Sequence, residues 1–470
     1  LESKDDIHPP TIPTLSERRS DMTPHINDSK SYPDRREFLK SAGAAAAGLY
    51  LTGASPLAAA EAPSTATKSE TLALNGGPKA VTAPVGNALH WPIYGEEEEK
   101  AVVALLKNVN YGPIAEFEKA WLEFHKMPYC KAHCNGTSAL TSMWFALDLL
   151  PGSEVLTPSY TPWFAIVPMR LFGLVPVWVD VNPRTMNMDV EDCKRRLTKN
   201  SKAIIPVHWF GLPCDMDHIC DFAKEHGLEV VEDASHAHGA SLQGRLMGTW
   251  GRMSGFSLQS TKPLPGIEGG MGMYTNRLDY ERAVTYGNYD LPQTFPEDSP
   301  YRKYAGTALG SKLRIHPISA LLAGIQLKHL VERNRAGAAQ MKTLNDRLVQ
   351  LPGLSTPYVR PDCERIYYGT NMLFLDPAKA DMSRESCVKA LQAEGVQATA
   401  YSWQLLHTQK MFHEKQWWHH LPAVPESLPG SDEANRTAIS LPFFTSQTPE
   451  LIDQYAKAFE KVWAHRKQLT

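Results

Sequence analysis

A lysine set among uncharged hydroxyl and glycine residues differs chemically from one on a charged surface. Lys262 occupies such a stretch: Gly255-Phe256-Ser257-Leu258-Gln259-Ser260-Thr261-Lys262-Pro263-Leu264-Pro265-Gly266-Ile267-Glu268-Gly269-Gly270. Desolvation favours the neutral amine, which is a nucleophile toward an aldehyde. Ser257 and Thr261 can offer hydroxyls to a phosphate. Upstream lies Val230-Val231-Glu232-Asp233-Ala234-Ser235-His236-Ala237-His238-Gly239. A carboxylate at Asp233, after an apolar run, can pair with a pyridinium nitrogen and keep that ring an electron sink. Taken alone, Asp233 also reads as a helix N-cap or turn residue. A third piece is Asn135-Gly136-Thr137-Ser138. Gly136, Thr137 and Ser138 opening a helix make an anion site, because free N–H groups and the helix dipole point the same way. Capping turns look alike, so this piece is weak by itself.

The elements that must position these residues alternate. Helical spacing runs over 96–106, 114–124, 137–149, 190–197 and 216–226. Short apolar runs at 153–157, 175–180, 203–208 and 228–233 read as strands. That rhythm predicts an α/β fold with a mostly parallel central sheet and helices on both faces. Asp180, His208 and Asp233 fall at the C-terminal ends of strands, where open α/β sheets bind ligands. A long helix is expected over 318–333, a strand over 371–375 and a helix over 384–395. A last helix should follow a Thr448 cap with Pro449 at its first position. The division expected is a large cofactor-binding domain over 71–334 and a smaller C-terminal α+β domain over 335–470.

The phosphate turn, the aspartate and the lysine follow one another in the order of a known family. Supporting stretches are Asn75-Gly76-Gly77-Pro78, Thr157-Pro158-Ser159-Tyr160-Thr161-Pro162-Trp163, Ile205-Pro206-Val207-His208-Trp209-Phe210-Gly211 and Gly310-Ser311-Lys312-Leu313-Arg314. Over roughly residues 72–469 the chain resembles the DegT/StrS-type sugar aminotransferases. The resemblance implies fold type I of the pyridoxal phosphate-dependent transferases, the aspartate aminotransferase type. It implies that Lys262 carries pyridoxal 5'-phosphate as a Schiff base and shuttles a proton. Asp233 would hold the ring nitrogen, and His236 would lie near the ring hydroxyl. Gly136, Thr137 and Ser257 would hold the phosphate, with Ser138 beside them. Trp163 would stack on the ring, with Tyr160 or Phe164 as alternatives. Lys312 would reach the phosphate of a neighbouring subunit, which implies a homodimer with shared sites. Family members that dehydrate carry histidine in place of the lysine, so Lys262 favours transamination. The expected reaction moves an amino group from glutamate or glutamine to a keto-sugar or keto-cyclitol. A dehydratase or epimerase, or a sensor that binds the cofactor without turnover, is the alternative.

The chain has 470 residues, 43% hydrophobic and 21% charged, with a net charge of -3. That balance gives no electrostatic case for nucleic acid or an anionic membrane. The run Glu96 to Glu99 reads as the solvated first turn of a helix. Seven cysteines without metal-site spacing read as free thiols, and no metal site is expected. Residues 1–33 read as a disordered extension. Asp34-Arg35-Arg36-Glu37-Phe38-Leu39-Lys40, then an Ala-rich stretch to Ala60, look like a twin-arginine export signal over 34–60. A linker follows over 61–70. A periplasmic or other extracytoplasmic location follows, with no membrane span in the mature protein.

Overall fold

The computed structural model describes residues 70–469, which fall within one compact unit. The extension, the export signal and all but the last linker residue lie outside the described residues. Seven strands form the central sheet: β1 (Tyr129–His133), β2 (Glu154–Pro158), β3 (Val175–Val179), β4 (Ser201–Ile204), β5 (Glu229–Asp233), β6 (Met253–Ser257) and β7 (Gly270–Tyr274). Their order is β1-β7-β6-β5-β4-β2-β3. Only β7 runs against the rest, pairing antiparallel with both β1 and β6. The parallel strands are short and buried on both faces, as such sheets require.

Helices α1 (Glu96–Lys107), α2 (Gly112–His125), α3 (Gly136–Ala146), α4 (Val190–Arg196), α5 (Met216–His226) and α6 (Arg277–Gly287) join or flank these strands. α5 shows why such segments are helical. Its buried residues Met216, Ile219, Phe222 and Ala223 recur at helical spacing. Gly227 ends it in the left-handed conformation, at φ 64°. On α2, Trp121 is fully buried against Phe117 and Phe256, burying about 1.5–3 kcal/mol worth of apolar surface.

α1 departs from the solvated turn expected of its acidic start. Glu98 is buried. It accepts the Gly95 N–H at 2.8 Å and the Gln326 Nε2–H at 2.6 Å, closing the helix start onto a distant helix. Glu96 and Glu97 do face outward, paired with Lys100 and Lys328.

The second core surrounds a smaller antiparallel sheet. It contains β8 (Thr370–Leu375) and β9 (Ala438–Pro442), flanked by Leu354–Ser355 and Thr399–Ala400. Helices α8 (Arg384–Ala393), α9 (Pro429–Thr437) and α10 (Pro449–Ala464) complete it. α10 begins at Pro449 as expected, but Thr448 supplies no side-chain cap. Its N–H instead donates to Gln340 Oε1 at 2.7 Å.

The two cores share a helix. α7 (Pro317–Leu348) runs 32 residues, straight through the boundary expected at 334/335. Ala320, Ala323 and Leu330 pack in the first core, whereas Met341, Leu344 and Leu348 pack in the second. The change of core is a change of packing partner along one helix, with no break in the chain. Leu72, Val81 and Ala88 also join the second core, so the chain passes through it before building the first. Glu394 fixes this opening stretch: fully buried, it accepts the Ala73 and Ala80 N–H groups and pairs with Lys461 Nζ at 3.0 Å. All seven cysteines are free thiols. No helix among the described residues is long and apolar enough to cross a membrane.

Candidate active site

Two strand ends and one helix start converge on a cavity of about 630 Å³. The first contribution is β5, whose last residue is Asp233. Its Oδ1 accepts the Ser235 N–H at 3.0 Å, so the residue does serve the turn. Its second oxygen accepts no hydrogen bond among the described residues and remains able to face a ring nitrogen. His236 follows, buried, with Nδ1 lacking a partner. Burial, helped by the nearby Lys262 charge, holds the His236 ring far below the ordinary imidazole range. It is therefore neutral at pH 7 and can exchange hydrogen bonds with a ring hydroxyl.

The second contribution is the start of α3. Asn135 caps it by accepting the Ser138 N–H at 2.8 Å. Gly136, Thr137 and Ser138 all line the cavity, and the Gly136 and Thr137 N–H groups, at the helix start, have no intrahelical acceptor. The third is β6, ending at Ser257. A Cβ on Gly136 would stand 2.8 Å from Ser257 Cβ, so only glycine permits this closeness. Helix start and strand end thereby form one cradle at the cavity wall.

Lys262 lies on the loop between β6 and β7. Leu258 and Leu264, both fully buried, pin that loop to the protein. Backbone bonds from Gly266 N–H to Leu258 O (2.7 Å) and from Ser260 N–H to Ile267 O (2.9 Å) close it on itself. Lys262 is half-buried and lines the cavity. Thr261, expected to offer its hydroxyl to a phosphate, turns the other way. That hydroxyl donates to Gln259 Oε1 at 2.6 Å and meets Tyr368 Oη at 2.9 Å.

Trp163 and Phe164 both line the cavity, each 46% exposed, with ring centroids 4.2 Å apart. Tyr160 does not; it is buried edge-on to Trp209. Lys312 does not line the cavity of its own chain, and its Nζ sits 5.9 Å from the Tyr289 ring centroid. Two of the polar strand ends prove structural. Asp180 binds Gly430 N–H, Ser431 N–H and Ser431 Oγ–H, tying β3 to α9. His208 pairs with buried Glu232 at 3.1 Å. Among the described residues no cluster of three His, Cys, Asp or Glu side chains is placed to hold a metal ion.

Tyr368 and Glu268 line the cavity too and were not among the expected residues. Glu268 stands in the same Gly-rich turn as Lys262 and could have been singled out there. Tyr368 lies 106 residues from Lys262, and no local spacing points to it.

Pyridoxal phosphate fits these residues. The cradle at Gly136 and Ser257 could hold its phosphate, the unpartnered Asp233 oxygen could face its ring nitrogen, and the unpartnered His236 Nδ1 could meet its hydroxyl. When bound, this group supplies an electron sink for carbanion chemistry.

Residues 92–460 match the model of the DegT/DnrJ/EryC1/StrS aminotransferase family. The chain belongs to this family. It is accordingly a pyridoxal phosphate-dependent aminotransferase with the type I fold. Solved relatives agree. An aminotransferase from Psychrobacter cryohalolentis is 26% identical, with TM-score 0.72, covering 80% of this chain and 98% of that one. S. venezuelae DesV is 25% identical, with TM-score 0.67 over 79% of this chain and 94% of that one. A DegT/DnrJ/EryC1/StrS aminotransferase from Brucella abortus is 25% identical, with TM-score 0.65 over 77% and 94%.

Proposed function

We propose that this DegT/StrS aminotransferase moves an amino group from glutamate or glutamine to the carbonyl of a keto-sugar or keto-cyclitol. It does so as a homodimer outside the cytoplasm. The observation that carries the reading is the convergence of Lys262, Asp233, His236 and the α3 start on one cavity. Lys262 Nζ takes the proton from the donor's Cα and delivers it within the cavity, as a positioned amine can. Asp233 keeps its negative charge toward the ring nitrogen. Gly136, Thr137, Ser138 and Ser257 anchor the phosphate so that the reacting carbon stays beside Lys262. Trp163 or Phe164 covers the ring face. Lys312 acts in the cavity of the partner.

The basic and Ala-rich stretch over 34–60 supports export by the twin-arginine route. Nucleotide-linked sugars are cytoplasmic, so an exported enzyme meets free keto-sugars or keto-cyclitols. Recovery of the mature enzyme in the cytoplasm alone, or turnover restricted to nucleotide-linked sugars, would overturn that part.

The deciding experiment is the visible spectrum of purified wild type and Lys262→Ala, with and without glutamate or glutamine. Wild type should show a band near roughly 410–430 nm that is lost on adding the donor, and the variant should show neither. No band in wild type after adding pyridoxal phosphate would sink the reading.

A further inference from the structure

Tyr368 reaches the cavity from the side of the second core, two residues before β8. Its oxygen is 3.2 Å from Lys262 Nζ, and Nζ lies 4.3 Å from its ring centroid. Thr261 Oγ1 is 2.9 Å from the same tyrosine oxygen. Proton directions follow from the acceptors. Gln259 Oε1 takes the Thr261 N–H at 2.9 Å, and Gln259 Nε2–H donates to Ser260 Oγ at 3.0 Å, which fixes the amide's orientation. Gln259 Oε1 carries no proton, so the Thr261 hydroxyl donates to it. Thr261 Oγ1 must then accept from Tyr368 O–H. The lone pairs left on the Tyr368 oxygen can only accept from Lys262. The chain runs one way, from Lys262 through Tyr368 and Thr261 to Gln259.

An oxygen locked as an acceptor favours the ammonium form of the lysine over the amine. The π face of the same ring favours that form too. The Tyr368 ring is also packed on His236, with centroids 4.2 Å apart, so its place is fixed from a second side.

We propose that Tyr368 is a positioning residue that holds the Lys262 amine, and receives its charge when it has taken up a proton. The inference rests on reading Lys262 as the lysine that carries the cofactor. Each time Lys262 lifts a proton from a substrate carbon it becomes an ammonium. Tyr368 then supplies the acceptor and keeps Nζ at the cavity wall, aimed for the return of that proton. The ionisable groups around Lys262 are Asp233 from β5, His236 and His238 from the turn after it, Glu268 from the lysine's own loop, and Tyr368.

Apoprotein is the material for the test, with pyridoxal phosphate as probe and the pH dependence of its capture followed in the visible spectrum. Tyr368→Phe keeps the ring and its packing and removes only the acceptor. Its capture midpoint should move to lower pH by about half to one unit, the scale of one such hydrogen bond. Thr261→Val frees the tyrosine proton to turn toward Lys262 and should shift the midpoint the same way, while Thr261→Ser should restore it. In the loaded enzyme Tyr368→Phe should slow the donor half-reaction about 10-fold with the donor KM little changed. Wild type that captures no cofactor overturns the functional reading and this proposal with it. Normal capture by wild type, with the Tyr368→Phe midpoint unmoved, overturns the proposal alone.

Discussion

Gly136 and Ser257 come from a helix start and a strand end, and a single methyl on Gly136 would stand 2.8 Å from Ser257 Cβ. Gly136→Ala must therefore push the two elements apart, at about 1–3 kcal/mol of overpacking. Since each 1.4 kcal/mol is tenfold in binding, cofactor affinity should fall about 5- to 140-fold. Titration of apoprotein with pyridoxal phosphate reads this directly, and unchanged affinity would remove Gly136 from the cradle.

Asp233 does two jobs, and two substitutions separate them. Asp233→Asn keeps an oxygen for the Ser235 N–H and loses the charge. Asp233→Ala loses both. The asparagine variant should keep near-normal stability and lose about 100-fold or more in kcat, the scale of one positioned electrostatic partner. The alanine variant should add about 1 kcal/mol of lost stability. A fully active Asp233→Asn would show the residue to be a turn residue only.

Buried histidines set the acid limit of stability. Burial lowers His125 to about 4 and His133 and His238 to about 3. In the unfolded chain each titrates near 6.5, so below that pH the unfolded state binds protons that the folded state refuses. The folded form loses nothing above about pH 6.5 and weakens as pH falls toward 4, by about 1.4 kcal/mol per pH unit for each histidine. Urea midpoints at pH 7.5, 5.5 and 4.5 should fall in that order. His125→Gln should flatten the slope by one histidine's share, and an unchanged slope would refute the assignment.

Glu394 is fully buried and bridges Lys461 to the backbone of Ala73 and Ala80. Lys461 Nζ also donates to Pro78 O at 2.6 Å. Glu394→Ala leaves the buried Lys461 ammonium without its counter-ion and the Ala73 and Ala80 N–H groups without their acceptor, at about 3–5 kcal/mol. Glu394→Gln retains an acceptor and should cost less. Urea unfolding orders the two, and protease cleavage near residues 73–80 should rise first in the alanine variant.

If Lys312 serves the partner's cavity, Lys262→Ala and Lys312→Ala fail in complementary ways. Each homodimer should be impaired. Mixed and reassociated, the two should regain activity, because some dimers then hold one cavity with both lysines. Mixing that restores nothing would confine Lys312 to its own chain.

The parts of the site that were legible in the sequence are those whose chemistry is local. Lys262 among hydroxyls, Asp233 after an apolar run and Gly136 opening a helix each carry their signal within a few residues. α5 was readable for the same reason, since its apolar spacing and terminal Gly227 are internal. What stayed hidden depends on contacts between distant positions. Glu98 looked solvated because Gln326, which buries it, stands 228 residues away. Thr448 looked like a cap because its true partner, Gln340, belongs to another helix. Tyr368 carries no mark of its role until the second core brings it to Lys262. Asp180 and His208 show the converse: a polar residue at a strand end is as readily a fastener as a reagent.

α7 binds both cores along one unbroken axis of 32 residues, a rod about 48 Å long at 1.5 Å per residue. A molecule built on such a spar cannot open by swinging one half from the other without bending it. Access to Lys262 is then set at the scale of side chains and short loops, with the half-exposed Trp163 and Phe164 at the cavity's edge. Stiffening substitutions along α7 would leave turnover alone, whereas trimming Trp163 and Phe164 would not.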